Sequence, residues 1–429
     1  MAMDGKELVE KLAKLSQVQS IKDIPQLTHA LFPGTHCPLM GAAMAVGGIK
    51  DSLIVVVGTD ECTYYTKSMT IHSEKFGGID GRCVSVVLDD HDVTFGSAEK
   101  VQEAFKEIIE EYRPQCVFLV TTCVIEIIGD DFDAISEGLS KLYGIPVLPV
   151  HTEHFKCEDH LPGLERTITV CAEMMKSCDC ENSVNLLGQR MGDFATTELY
   201  AMLQKAGVKI GLQLPCGCSV DDIKNAAAAK VNIVVNDIAL PLAQKMQEKF
   251  GIPYVYFNKF VIPEKIYEAY KNLFVYLDLE LPGELEGLYQ NAREKIEKNK
   301  GELEGITYIY GNTPYAVFEM NCFLSSLGMV PQVIQTNRYT EADEPYAKEI
   351  LQYTDPYVCK AANIAPLQYV YDVLSPYLYL GHEFGNRLRQ KGIAIVDSDR
   401  ASGMLGFEVT GYLLQQLVKS VREAKEYRK

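Results

Sequence analysis

Tryptophan is absent from this 429-residue chain, which excludes indole-based anchoring and nothing more. Positive charge is in short supply: 41 Lys and Arg stand against 58 Asp and Glu, a formal net charge of −17. A nucleic-acid-binding protein needs a basic face, so that class is set aside, although a local basic docking site for a protein is not. Long apolar runs are missing too. Stretches such as Leu53 to Gly58 fall far short of the roughly 20 residues that span a bilayer. The opening segment Met1-Ala2-Met3-Asp4-Gly5-Lys6 has no apolar core of the kind a secretory signal carries, so the expected location is the cytoplasm. Two nucleotide signatures are also lacking. Without Gly-x-x-x-x-Gly-Lys-Ser/Thr the chain is not itself a P-loop ATPase. Without Gly-x-Gly-x-x-Gly opening a first βα unit, it does not bind NAD by the common route.

What the chain does have is cysteine, 13 in all, together with a 47% hydrophobic composition that can fill several cores. Disulfides are reduced in the cytoplasm, so a clustered subset points to metal binding or catalysis. Free cysteine also serves as a small buried hydrophobe. Cys83, Cys116, Cys171, Cys322 and Cys359 lie in apolar patterns and are expected in the core, whereas Cys178 and Cys180 sit in a polar break and are expected to be exposed.

The chain reads as strand, turn and helix, repeated. Strands are expected at 52–57, 83–88, 116–121 and 146–150, then at 183–188, 209–214, 231–236 and 254–258, then at 307–310, 331–335, 377–381 and 393–397. Amphipathic helices fall between them, among them 97–112, 131–143, 196–206, 221–229 and 239–250. β-Branched runs alternating with helices mean parallel sheets covered on both faces. The predicted fold is therefore α/β, with three successive doubly wound, Rossmann-like domains at 1–181, 182–300 and 301–429. The charged stretch 284–305 reads as a long exposed linker helix, and 412–429 as an amphipathic C-terminal helix.

Three cysteines stand at or near strand-to-helix switches: Cys37 in His36-Cys37-Pro38, Cys62 in Glu61-Cys62-Thr63, and Cys123 in Thr122-Cys123-Val124. In a parallel sheet the loops at the carboxyl ends of strands gather at one edge, where sites are built. A helix N-terminus lowers a thiol's pKa and favours the thiolate, the form that ligates metal. Three thiolates are three of the four ligands an iron–sulfur cluster usually takes. Another subunit is expected to supply the rest.

These segments carry a family likeness. Cys37 with Gly41-Ala42, Gly58 with Cys62, Asp92-Val93-Thr94-Phe95-Gly96-Ser97, and above all Thr121-Thr122-Cys123 with Glu126 and Ile128-Gly129-Asp130-Asp131 resemble the nitrogenase component 1 family. Glu248-Lys249-Phe250-Gly251-Ile252-Pro253 and Ser402-Gly403 with Gly406-Phe407 also fit, so the likeness runs nearly the whole length. It implies a nitrogenase component 1-like fold in which Cys37, Cys62 and Cys123 ligate a cluster shared across a subunit interface, either 4Fe-4S or the P-type 8Fe-7S cluster. It implies a paralogous component 1 subunit or a second copy as partner, and an ATP-hydrolysing iron protein as electron donor. The activity implied is that of an oxidoreductase subunit reducing a small molecule; the alternative is a scaffold on which a nitrogenase-type cofactor matures.

The departures are informative. The nitrogenase α subunit holds its catalytic cofactor with a cysteine and a histidine, and the likeness places Val235 and Ser402 at about those positions. Neither can ligate iron in their stead, so an authentic α subunit is not expected. Two other constellations are candidates for a second metal cofactor or a cavity wall. The run 151–160 holds His151, His154, Cys157 and His160, donors that suit iron, or else forms a solvated polar loop. Cys216-Gly217-Cys218 is too tight for a common zinc knuckle and either meets a ligand or forms a rigid turn with Ser219 as N-cap. A third reading, a sugar- or nucleotide-binding α/β protein with core cysteines, would leave the protein free of iron.

Overall fold

β-Branched runs in this chain become strands whose two faces are both covered. Every residue of Ser52–Gly58 and of Cys116–Thr121 is buried. The computed structural model describes residues 4–27, 36–71, 81–157, 159–190, 192–311, 313, 315–360 and 364–429. Its strands, in chain order, are β1 (Ala13–Lys14), β2 (Ile49–Lys50), β3 (Ser52–Gly58), β4 (Cys83–Val87), β5 (Cys116–Thr121), β6 (Val147–Val150), β7 (Glu181–Gln189), β8 (Lys209–Pro215), β9 (Cys218–Ser219), β10 (Ala229–Val234), β11 (Tyr254–Tyr256), β12 (Thr307–Tyr310), β13 (Val330–Gln335), β14 (Tyr357–Cys359), β15 (Leu378–Leu380) and β16 (Ala394–Val396).

Three parallel sheets result, in the orders β4-β3-β5-β6, β11-β10-β7-β8, and β14-β13-β12-β15-β16, with β1 added antiparallel on the β14 edge. Helices join consecutive parallel strands, as such crossovers require. The architecture is the α/β arrangement of covered parallel sheets that the alternating pattern pointed to. One apolar cluster spans the first and second sheets, from Ile54 and Phe118 to Leu187 and Val234. Another spans the second and third, from Val184 and Ile233 to Tyr308 and Ile334.

Small residues let the first two sheets approach. The short pair β2 and β9 joins Ile49 to Cys218, and Gly217 N–H donates to Gly48 O at 3.1 Å. A Cβ on Gly48 would lie 2.0 Å from Pro215 O. The chain's early residues end up on the third sheet, where Ala13 pairs with Val358.

Local readings differ from the structure in the short strands and in one helix. The strands β1, β2, β9 and β14 were not foreseen. The expected helix at 221–229 stops at Lys224, gives way to a 3-10 turn at Ala226–Ala228, and enters β10 at Ala229. Alanine's helix propensity is a weak preference that tertiary contacts override. Here the buried Asn185 side chain donates to Ala226 O at 2.8 Å and fixes the turn.

Candidate metal centre and adjoining cavity

Strands β3 and β5 are hydrogen-bonded neighbours in register, Val57 beside Thr121, so the turns that follow them lie side by side. Gly58 brings those turns together. Thr122 Oγ1 donates to Val57 O at 2.9 Å, and a Cβ on Gly58 would sit 2.0 Å from Thr122 Oγ1. Cys62 then falls in the first turn of helix Asp60–Ile71, and Cys123 opens helix Cys123–Ile128 with Thr122 as its N-cap. Cys37 is itself the N-cap of helix Pro38–Gly47.

That last helix is fixed by a glycine crossing. A Cβ on Gly41 would stand 1.9 Å from His160 O, and one on Gly163 would stand 1.9 Å from Pro38 O. Backbone therefore packs on backbone between Pro38–Gly47 and Leu161–Val170, which sets Cys37 and His160 together.

All three thiols are half-buried. They are near enough that charge on Cys62, and more weakly on Cys37, raises the pKa of Cys123. Burial is the larger cause of that rise, and the N–H of Val124 opposes it. The expected lowering by the helix start is thus outweighed: six residues of helix offset little against desolvation and two like charges. Thr59 Oγ1 donates to Cys62 Sγ at 3.5 Å. Among the described residues no three His, Cys, Asp or Glu side chains converge tightly enough for a single metal ion. An iron–sulfur cluster makes a different demand, since it spreads its cysteines over several irons. Three half-buried thiols around one edge, with hydroxyl and amide donors beside them, fit three corners of such a cluster.

The run 151–160 does not act as one cluster. His151 Nε2 lies 3.3 Å from Asp133 Oδ1. His154 is exposed, its ring edge-on to Phe155. Cys157 donates to Thr152 O and receives Arg166 Nη1, both at 3.7 Å; burial raises its pKa and Arg166 opposes the rise. His160 turns the other way, with its ring centroid 6.5 Å from that of His36. Burial first and Arg190 second push its pKa down to about 4, which keeps the imidazole neutral.

A cavity of about 750 Å³ opens where the carboxyl ends of the second and third sheets face each other. Arg190 after β7, Asn236 after β10, Asn258 after β11 and Gln335 at the end of β13 line it, with Asp159 and Leu161 closing one side. Such a crevice at strand ends is where open α/β sheets bind ligands. Cys216 lies behind this wall, its thiol donating to Arg190 O at 3.3 Å, and burial raises its pKa against Arg190 and Lys259. Cys218 is not brought to the cavity: it is 1% exposed in the apolar core, and burial pushes its thiol up to about 12. Ser219 caps the following helix by accepting from Asp222 N–H. Val235 is fully buried among apolar neighbours and Ser402 is 1% exposed.

The family model described as nitrogenase component 1 type oxidoreductase matches residues 37–422. The chain belongs to that family. It is 30% identical over 224 residues to the nitrogenase iron-molybdenum cofactor biosynthesis protein NifE of Clostridium pasteurianum, covering 51% of this chain and about half, 49%, of that relative. It is 25% identical to NifE of Rippkaea orientalis, over 73% of this chain and 69% of the relative. It is 24% identical to the nitrogenase molybdenum-iron protein alpha chain of Methanosarcina barkeri, over 73% of this chain and 62% of that one. Among solved structures, nitrogenase Cp1 at pH 6.5 superposes with a TM-score of 0.76 at 14% identity, covering 94% of this chain and 95% of the other, which speaks for the fold.

Within this component 1 chain, several site residues carried no sequence signal of their own. Glu126 stood in the Cys123 motif but without a role. It accepts from Thr121 Oγ1 at 2.8 Å, Thr152 Oγ1 at 3.1 Å and Glu153 N–H at 2.5 Å, tying the Cys123 helix to the loop after β6. Lys259 is buried with its ammonium on Ser402 O; burial, then Arg190, lowers its pKa to about 7. Arg190 and Glu319 line the cavity.

Proposed function

We propose that Cys37, Cys62 and Cys123 hold an iron–sulfur cluster shared with a second subunit, a paralogue or another copy. The observation that carries this is the gathering of three half-buried thiols, each at the start of a helix, beside the paired ends of β3 and β5. Bound there, a cluster of 4Fe-4S or 8Fe-7S type supplies one-electron transfer. The chain's own residues do the rest. Thr59 Oγ1 donates to the Cys62 sulfur and the Val124 amide to that of Cys123, the donors that stabilise thiolates around such a group. Glu126 fixes the Cys123 helix, and the glycine crossing fixes Cys37. The protein would then be the electron-accepting subunit of a nitrogenase-like oxidoreductase, supplied by a separate ATP-hydrolysing iron protein and reducing a small molecule. His160, held neutral beside Cys37's helix, and Cys216, behind Arg190, are the remaining candidates for contact with a second group.

A scaffold role in cofactor maturation is the second reading. It is favoured by the cofactor-biosynthesis names of the relatives and by the buried, non-ligating Val235 and Ser402. Iron and acid-labile sulfide on protein purified without oxygen test the common ground. About two irons per chain fit one 4Fe-4S cluster shared by two subunits, and an iron-free protein sinks both readings. Incubation with an apo-acceptor then separates them, because a scaffold hands its cluster on and a reductase keeps it.

A further inference from the structure

The cavity between the second and third sheets is walled by polar and aromatic groups, and among its described lining residues there is neither cysteine nor histidine. Its donor set does not fit a metal cofactor held by thiolate and imidazole. What occupies it must be recognised by charge, hydrogen bonds and apolar contact.

Most of the cavity's charged groups have a partner. Asp237 lies 3.6 Å from Arg338, and Lys265 lies 3.9 Å from Glu319. Asp159 accepts from Leu161 N–H, and Asp343 from the amide and hydroxyl of Thr340. Arg190 and the exposed Glu268 are left over. The Arg190 guanidinium feels Asp237 and Asp159 at a distance, yet it forms no ion pair or side-chain hydrogen bond among the described residues. Burial lowers its pKa, the mark of a cation short of solvent. A half-buried guanidinium on a cavity wall, with no ion pair of its own among the described residues, is a ready partner for an anion. Two more groups on the same wall are buried without a hydrogen bond: Tyr315 Oη, and Glu319 Oε1, which has only the Lys265 ammonium 3.9 Å away. Tyr256, Phe260, Phe318 and Tyr346 supply flat apolar surface around them.

We propose that this cavity binds a carboxylate-bearing organic molecule with an apolar, ring-like body, its carboxylate on Arg190 and its other polar groups on Glu319 and Tyr315. Guanidinium is the side chain whose planar fork matches a carboxylate with two parallel hydrogen bonds. The volume of about 750 Å³ lies within the range of sites that enclose small organic ligands. The inference goes beyond the cluster reading and stands or falls apart from it, since it concerns a ligand at Arg190 and not iron at the three cysteines.

A matched pair of fluorescent probes tests it on the full chain: 1-pyrenebutyrate, and 1-pyrenebutanol, which differs in lacking the carboxylate. A charge-assisted bidentate pair is worth about 1.5–3 kcal/mol, so the acid should bind at least roughly tenfold more tightly than the alcohol. Arg190→Gln should bring the two probes to within about twofold, and Arg190→Lys should keep part of the preference. Equal affinity for acid and alcohol in the unsubstituted protein, or no binding of either, overturns the proposal, as does an undiminished preference in Arg190→Gln. Should Arg190→Gln fail to fold, the acid-to-alcohol ratio of the unsubstituted protein decides alone. Iron content measured on the same samples shows whether the cluster reading fares separately.

Discussion

Replacing Gly163 with alanine asks the fold to open at the point that positions Cys37. The new methyl carbon would lie 1.9, 2.6 and 2.9 Å from Pro38 O, C and Cα, all backbone atoms, where real Cβ contacts essentially never fall below 3.0 Å. No side chain can swing aside, so the two helices must part by roughly 1 Å. Overpacking of a tight interior costs about 1–3 kcal/mol, and a backbone obstacle belongs at the top of that range. Alanine returns some 0.5–1 kcal/mol through its better helix propensity. The net loss is about 2 kcal/mol. At a urea dependence near 2 kcal/mol per molar, the unfolding midpoint of the transition that includes the first sheet should fall by about 1 M. Because Pro38 follows Cys37 directly, the same shift moves that thiol, and iron per chain should drop with it. Gly138→Ala is the control: Gly138 lies exposed in helix Phe132–Tyr143 with nothing within 4 Å of an added Cβ. It should leave iron unchanged and raise the midpoint slightly. A Gly163→Ala protein that unfolds at the original midpoint refutes the crossing as a constraint. One that is destabilised but fully loaded with iron refutes its link to Cys37.

Other outcomes follow from the same geometry. Cys37→Ala, Cys62→Ala and Cys123→Ala should each strip most of the cluster iron, while Cys218→Ala, in the apolar core, should lower stability and spare the iron; full iron in all three variants removes the assignment. Gly58→Ala should cost about 2–3 kcal/mol and loosen both neighbouring turns, because the added Cβ meets Thr122 Oγ1 at 2.0 Å; a urea midpoint equal to that of the parent protein would count against it. Glu319 gives a pH test. Burial raises its pKa to about 7, against Lys265, while the unfolded value stays near 4.5. The folded protein therefore keeps a proton that the unfolded chain gives up, so stability is full below about pH 4.5 and declines as pH climbs to about 7. Glu319→Gln removes that decline, leaving the variant up to ~3 kcal/mol more stable than the parent at pH 8 and equal to it at pH 4. Parallel urea midpoints across the range would show that Glu319 does not titrate this way.

The fold was legible where one signal sufficed. A run such as Leu53 to Val57 allows only a strand covered on both faces, and its parallel neighbours followed from the helices between. Legibility failed where a contact from elsewhere chose the structure. The strand Tyr357–Cys359 is three residues between Pro356 and Lys360, too short for any period, and it exists because β13 and β1 flank it. The alanines at 226–229 read as helix, yet the Asn185 amide claims the Ala226 carbonyl.

The site divides along the same line. Cys37, Cys62 and Cys123 were visible because each stands at a boundary between strand or loop and helix, and topology alone then brings such boundaries to one edge. Nearness in sequence was a poor guide by comparison. His154, Cys157 and His160 share one short loop, but Glu153 takes a left-handed turn at φ 45° and a 3-10 turn follows, so one side chain faces solvent, one Arg166 and one His36. Arg190 follows a strand of the second sheet, Glu319 lies on the helix Val317–Ser326 after β12, and both line one cavity. Neither looks unusual in its own segment. Their character comes from burial, which only the assembled domains create: that burial lowers Arg190's pKa and leaves a Glu319 oxygen without a hydrogen bond, with Lys265 3.9 Å away. The proposed metal centre is thus a property of motifs, and the proposed ligand cavity a property of the assembled fold. That is why substitutions at the cysteines should remove iron whatever the ligand, and substitutions at Arg190 should alter ligand choice whatever the cluster.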